Sequence, residues 1–382
     1  MLKIAHISLH IEFMSGIFRT RCDEAKAGEQ IKDFKWDVFI ASPNKKYSVD
    51  ASVGYLPIFS FFSKLFESKS KFLFYMNRFL SLNFLLFRII FNLQVNKLTK
   101  TYDYVIVRYN SADILAFLFL RRKSKILFYH HTKSLEELKT YNKIAYLIEK
   151  FTGKLQHHGV HGIVSVSPEI VQFECNRNNI KNTYILTNGI IIPNEEIIDN
   201  RDHEKIKIIM VCSRFQDFHG LDLLLESINV FSTSSRHNHN NCDYELHFYG
   251  EAYPETINQI SLTQNCFYHG HIDSSDLCVL FSHFDLGIGV LAYFRRNITQ
   301  TSAIKTKEYL ASGLPIINNY TEIGFPPDFN YIKKLEKDFT FDQILDYALE
   351  MKKIDKNIIK KESAPFINEK DILLKFVNQI KT

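Results

Sequence analysis

Near-continuous runs of β-branched, aliphatic and aromatic residues recur along this chain with long helical stretches between them, and that alternation leaves few folds open. In the first half the runs are Lys3–Leu9, Trp36–Ser42, Tyr102–Tyr109, Lys125–His131 and Gly162–Ser167, with Tyr184–Asn188 closing the series before Gly189. A strand of a half-exposed antiparallel sheet alternates apolar with polar residues. These runs do not alternate, so both of their faces are covered, as in a parallel sheet wound with helices on both sides. A loop through Gly16 leads into a helix predicted over Arg19–Gln30. After a polar bridge with the composition of a linker, Pro193–Lys205, the pattern resumes in Lys207–Ser213, Tyr244–Gly250, Cys266–Gly270 and Leu286–Leu291. The expectation is two doubly wound α/β domains, 1–195 and 206–365, with no internal sequence repeat.

Composition agrees and excludes several classes. The chain has 382 residues, 46% hydrophobic and 23% charged, which is globular and long enough for two cores. A formal charge of +5 argues against a dedicated nucleic-acid binder and allows an anionic substrate or membrane surface. Six cysteines lie far apart with no Cys-x-x-Cys pair, so neither a metal knuckle nor a disulfide framework is expected. Cys212 and Cys266, in apolar runs, read as plain buried thiols. The first strand begins at Lys3, with no signal-peptide pattern before it, which predicts a reduced, cytoplasmic setting. Ser232–Asn241 reads as a surface loop whose histidines, His237 and His239, are solvated.

Tyr55–Lys100 departs from the rest. It is dense in Phe and Leu, and from Phe61 onward its basic residues are Lys64, Lys69, Lys71, Arg78, Arg88, Lys97 and Lys100 against Glu67 alone. None of its apolar runs reaches the roughly 18–20 residues of a spanning helix. Aromatic and basic residues together suit helices lying in an anionic membrane interface, and they equally suit helices that cover the sheet.

The densest chemical signal is Phe284–Tyr320. The apolar run Leu286–Leu291 is followed by Arg295 and Arg296, then by Thr301 and Ser302 as N-cap candidates for a helix that Gly313 and Pro315 stop, and Leu314–Ile317 resumes a strand. Lys305 and Glu308 share one face of that helix. A lysine near a helix N-terminus, beside a carboxylate that accepts two hydroxyls, suits a nucleoside diphosphate with its ribose. The same spacing is that of an ordinary solvated pair.

The run Lys305-Thr306-Lys307-Glu308-Tyr309-Leu310-Ala311-Ser312-Gly313-Leu314-Pro315 resembles the donor-site segment of glycosyltransferase family 4, enzymes of the GT-B fold. The likeness is strong over 207–320 and weak over 42–100. It implies two Rossmann-like domains facing across a cleft, with a C-terminal helix, 366–382, crossing back to the first. It gives Glu308 the ribose. A second family glutamate falls on Gln300, which can hydrogen-bond a sugar but carries no charge. Upstream, Arg214 matches the arginine that holds the diphosphate, and His219, before Gly220, replaces the lysine as a pH-dependent contact. Gly250, ending a strand, falls where backbone holds the base, and Gly16 permits close approach of a diphosphate or acceptor. In the first domain His131-Thr132 matches a histidine beside the transferred sugar. His130 sits on the opposite face by strand alternation, and Arg108, His130 and Glu137 are acceptor-side candidates. Arg214, Lys305 and the helix N-terminus would replace a metal at the leaving group, so no cofactor is expected.

The resemblance therefore implies a retaining hexosyltransferase. It would use a nucleotide sugar and a lipid-linked or saccharide acceptor in surface polysaccharide assembly, peripheral on the inner face of the plasma membrane. Two other readings share the residues: a non-hydrolysing sugar-nucleotide epimerase, and a nucleotide-sugar-binding partner without turnover.

Overall fold

The computed structural model describes residues 1–10, 14–58, 82–120, 125–202, 204–233, 243–273 and 276–381. The chain divides into two compact units, Met1–Leu186 with Glu369–Thr382, and Thr187–Asn368. Each is built on one parallel sheet.

The first sheet has seven strands in the order β3-β2-β1-β4-β5-β6-β7. They are β1 (Leu2–Leu9), β2 (Phe34–Ser42), β3 (Gly54–Pro57), β4 (Tyr104–Arg108), β5 (Ile126–His130), β6 (Gly162–Ser165) and β7 (Thr183–Ile185). Alternation along the strands splits the core in two. Ile4, Ile106, Leu127 and Tyr129 face α1 (Ser15–Glu29) and the last helix. Ile7, Val105, Val107 and Phe128 face α2 (Leu82–Leu98) and α3 (Ile114–Leu120). The remaining helices of this unit are α4 (Ser134–Tyr141), α5 (Lys143–Gln156) and α6 (Pro168–Asn178).

The second sheet has six strands in the order β10-β9-β8-β11-β13-β15. They are β8 (Lys205–Arg214), β9 (Asp243–Glu251), β10 (Cys266–Gly270), β11 (Leu286–Ile288), β13 (Ile316–Asn318) and β15 (Ile332–Lys334); a separate pair joins β12 (Gln300–Thr301) to β14 (Thr321–Glu322). Its helices are α7 (Leu221–Thr233), α8 (Pro254–Leu262), α9 (Leu277–Phe281), α10 (Ile304–Ala311), α11 (Phe341–Lys352) and α12 (Lys356–Ile367).

The last helix, α13 (Glu369–Lys381), returns to the first unit. Its apolar stripe, Ile372, Leu373, Phe376, Val377 and Ile380, is buried, and Phe376 meets Trp36 edge-on with ring centroids 5.9 Å apart. Each such side chain contributes about 1.5–3 kcal/mol. Gln379 donates to the Ile185 carbonyl and accepts from its amide, each at 2.9 Å, which covers the β7 edge.

Several local expectations shift. The polar stretch 193–205 is not a free tether. Ile197 and Asn357 exchange two hydrogen bonds, and Arg201 donates to the carbonyls of Lys352 and Ile354, so the stretch is pinned along the second unit. Gly16 lies in the first turn of α1 rather than in a loop. Leu286–Leu291 keeps strand pairing only to Ile288, and Cys212 is half-buried rather than buried. Within Tyr55–Lys100, β3 and α2 are the described elements; Lys64, Lys69, Lys71 and Arg78 lie outside the described residues, as do His237 and His239. No helix among the described residues is long and apolar enough to cross a membrane.

Candidate functional site

The second unit gathers polar side chains at the C-terminal edge of its sheet, where open α/β sheets bind ligands. The pairing of β8 with β9 slips between Val211 and Arg214. Such a bulge re-aims the side chains that follow it. Arg214 emerges there and grips Glu251, at the end of β9, with Nη2 2.6 Å and Nε 2.9 Å from Oε2. Both partners are more than half exposed, so the pair is worth at most about 1 kcal/mol and yields readily to a better anion.

The loop beyond Arg214 turns into α7 at Gly220, whose φ is +73°; a Cβ there would lie 2.9 Å from that of Leu291. Glycine is therefore demanded by packing against the loop after β11, which the Leu291 amide ties to the His219 carbonyl at 3.0 Å. The same holds for Gly250, at φ +137°, where a Cβ would meet the Cys212 carbonyl oxygen at 2.0 Å. Gly250 is set by strand approach. His219 differs from expectation. Its Nδ1 accepts from the Gln216 amide at 2.9 Å, which leaves Nε2–H as its free donor. Burial, with Arg296 beside it, draws its pKa down to about 4. It is neutral at physiological pH and is not a pH-dependent cation there.

Helix α10 presents Lys305 and Glu308 as an ion pair at 2.7 Å, with Glu308 nearly buried. The Tyr309 hydroxyl accepts from the Val211 amide at 3.1 Å and so seats α10 against the end of β8, with Gly287 of β11 beneath the Tyr309 ring. Lys305 lies close enough to oppose the burial that raises the Cys212 thiol. The N-cap differs from the sequence reading: neither Thr301 nor Ser302 caps the helix. Ala303 is the cap residue, and its amide donates to Glu322 Oε1 at 3.0 Å. Glu322 also accepts from Thr306 at 2.7 Å and pairs with Lys307, both members fully buried. Ser302 instead accepts from the Asn188 amide at 3.2 Å. Gln300 sits in β12, opposite Thr321.

In the first unit the same edge carries a cluster on one face of the sheet. His6 and Ser8 alternate along β1 with His10 just beyond its end, Arg108 ends β4, and His131 follows β5. Arg21 of α1 lies above them, held by Glu24 at 2.5 Å. The His131 ring rests on Tyr129 with centroids 4.2 Å apart. Burial, with Arg108 and Arg21 nearby, holds the imidazole well below its ordinary pKa, so it is a neutral hydrogen-bonding group. Among the described residues no carboxylate lies within ion-pair distance of Arg108. Glu137 accepts from Thr132 at 2.5 Å and fixes the turn after His131.

His130 does not belong with these groups. It lies on the opposite face, fully buried, with Nε2 3.1 Å from His157 Nε2 and Nδ1 3.1 Å from the Ser134 hydroxyl, and it stacks on Tyr109. Strand alternation turns it inward, as its place opposite His131 predicts, and this burial does not support an acceptor-side place for it. Sequence reasoning also missed Glu251, Glu322 and, beside Arg21, the partners His6 and Glu24. The alternation His6-x-Ser8-x-His10 was the one local pattern from which His6 was legible.

No protein-family model matches the chain, and no curated relative is found for it. Solved structures do match over its whole length. Against Staphylococcus aureus TarM in complex with UDP the TM-score is 0.66 at 12% identity, with 100% of each chain covered. For the lipopolysaccharide outer core galactosyltransferase WaaB it is 0.59 at 14% identity, covering 99% of this chain and 100% of that one. For the UDP-GlcNAc 2-epimerase of Neisseria meningitidis bound to UDP-GlcNAc it is 0.51 at 10% identity, again with 100% of each chain covered. The fold is that of the GT-B proteins, which serves glycosyltransferases and sugar-nucleotide epimerases alike.

Proposed function

We propose that the protein is a retaining glycosyltransferase resembling family 4. It moves a hexose from a nucleoside diphosphate sugar to a lipid-linked or saccharide acceptor in bacterial surface polysaccharide assembly, on the cytoplasmic side of the membrane. The observation that carries this reading is the Lys305–Glu308 pair seated against the end of β8, the strand that delivers Arg214. As the glycosidic bond breaks, negative charge grows on the diphosphate. Arg214, Lys305 and the N-terminal amides of α7 supply positive charge for it without a metal. Glu308, nearly buried, accepts the ribose hydroxyls. Gln300 hydrogen-bonds the sugar. Open space over Gly16, where an added Cβ would meet nothing within 4 Å among the described residues, supports close approach of a ligand there. His131, neutral, orients a sugar hydroxyl rather than delivering charge, and Arg108 serves the acceptor.

The epimerase reading has the structural likeness to UDP-GlcNAc 2-epimerases in its favour. Incubation with a panel of nucleotide sugars, with and without acceptor, separates the readings. Free nucleoside diphosphate released only when acceptor is present supports transfer. An epimeric nucleotide sugar formed without acceptor supports epimerisation. Binding of nucleotide sugar with neither product makes the protein a binding partner.

A further inference from the structure

Helix α5 (Lys143–Gln156) is built inside out. Its buried side carries Glu149 and Gln156, both fully buried, while its outer side carries Ile144, Leu147, Phe151 and Leu155 at 73%, 52%, 73% and 49% exposure. On the inward face Glu149 is satisfied, and Gln156 donates to the Thr152 hydroxyl at 3.3 Å while its Oε1 has no partner among the described residues. Glu149 accepts from the Tyr109 hydroxyl at 2.8 Å and from the Ala112 amide at 2.7 Å, and it pairs with Arg177. The outward apolar positions recur at steps of three and four residues, so they form one continuous stripe. Leu118, 60% exposed, is a further exposed apolar side chain on the neighbouring α3. Lys143, Lys150 and Lys154 run along one border of the stripe, and the helix exposes no carboxylate, since Glu149 is its one acidic residue.

We infer that α5 docks in the interface of an anionic lipid membrane, with the stripe among the acyl chains and the three lysines on the headgroups. The charge pattern selects this occupant. In an antiparallel two-fold contact with a second copy of the chain, the same stripe would meet itself and bring two rows of lysines together. An anionic bilayer instead answers both the apolar and the cationic half of the surface. The inference gives a place to membrane attachment, which the sequence suggested only for Tyr55–Lys100. It deepens the reading of a lipid-linked acceptor, but its test does not depend on catalysis.

The full chain is sedimented with vesicles of phosphatidylcholine, with and without phosphatidylglycerol, at low and at physiological salt. Binding is expected to the anionic vesicles and to weaken with salt. The Ile144→Ser/Phe151→Ser variant should lose at least about tenfold in partitioning. The Lys150→Gln/Lys154→Gln variant should lose about 25-fold on anionic vesicles, at roughly fivefold per lysine, and little on neutral ones. Both variants should keep the wild-type melting temperature and transfer to a soluble acceptor. Failure of the wild type to sediment with anionic vesicles overturns the inference. So does a concentration-dependent dimer that the serine variant abolishes, which would assign the stripe to a second copy. A fall in melting temperature in that variant, without vesicle binding by the wild type, would assign it to the chain's own packing. If transfer fails in every assay while vesicle binding holds, the membrane surface stands and the catalytic reading falls.

Discussion

Arg214 and Lys305 each already hold a carboxylate, and how firmly they hold it decides what a ligand can take. Glu251 binds Arg214 in the open, whereas Glu308 is nearly buried beside Lys305. Arg214→Ala and Lys305→Ala should each lower kcat by roughly two to three orders of magnitude, with unchanged melting temperature, because each removes a donor aimed at developing phosphate charge. Near-normal kcat in both variants would move the diphosphate elsewhere. Glu251→Gln should do the opposite of harm. It releases Arg214 from an exposed pair worth at most about 1 kcal/mol, so donor affinity by calorimetry should rise by no more than about fivefold. In the first unit the two adjacent histidines should separate cleanly. His131→Ala should depress transfer and leave nucleotide affinity intact. His130→Ala should cost about 1–3 kcal/mol in urea unfolding, since it strips partners from Ser134 and His157 in a buried network. An exchange of the two effects would contradict the strand-face assignment.

At the scale of elements, α10 is the piece on which the donor site depends, and its anchorage comes from across the sheet. The buried ammonium of Lys307 has Glu322 as its counter-charge and packs over the Phe325 ring at 4.8 Å. Removing one member of a buried pair leaves the other uncompensated, at a cost of about 3–5 kcal/mol. Glu322→Gln should therefore lower unfolding free energy by that order, and it should weaken donor binding although Glu322 touches no ligand. A paired Lys307→Met/Glu322→Leu variant should recover most of the stability. If Glu322→Gln is neutral in denaturant titration, α10 is held by Tyr309 alone. None of this was legible from the segment 301–315, where two hydroxyls stood in the expected capping positions. The side chain that replaces them arrives from β14, and only tertiary packing brings it there.

For the whole molecule, the histidines make folding sensitive to acid. Burial is the first cause that draws the pKa of His10, His130 and His157 down to about 3, and that of His219 to about 4, all from an ordinary 6.5. The unfolded chain takes up a proton on each near 6.5 and the folded chain does not. Stability is thus fully present above that pH and is lost progressively as pH falls toward 3. By pH 5 each fully buried imidazole costs about 2 kcal/mol, a large share of a typical 5–15 kcal/mol. Unfolding midpoints measured at pH 7.5, 6 and 5 should fall steadily. A flat profile between pH 7.5 and 5 would mean that these rings reach water.

The sequence by itself determined the class of fold. Uninterrupted β-branched runs with helices between them have no stable home except a parallel sheet covered on both faces, and the stripe from Ile372 to Ile380 marked a final helix needing a partner. It also singled out Arg214, Lys305 and Glu308, through a family resemblance carried by motifs that are local in the chain. Tertiary structure decided the rest. Whether Gly220 and Gly250 serve ligand or packing depends on Leu291 and Cys212, which are distant in sequence. His219 is neutral because of burial and Arg296. The exposed apolar stripe of α5 has the same local spacing as any core helix. Its outward orientation is set by Arg177 and Tyr109, which draw Glu149 inside, and no window of sequence around 143–156 contains either of them.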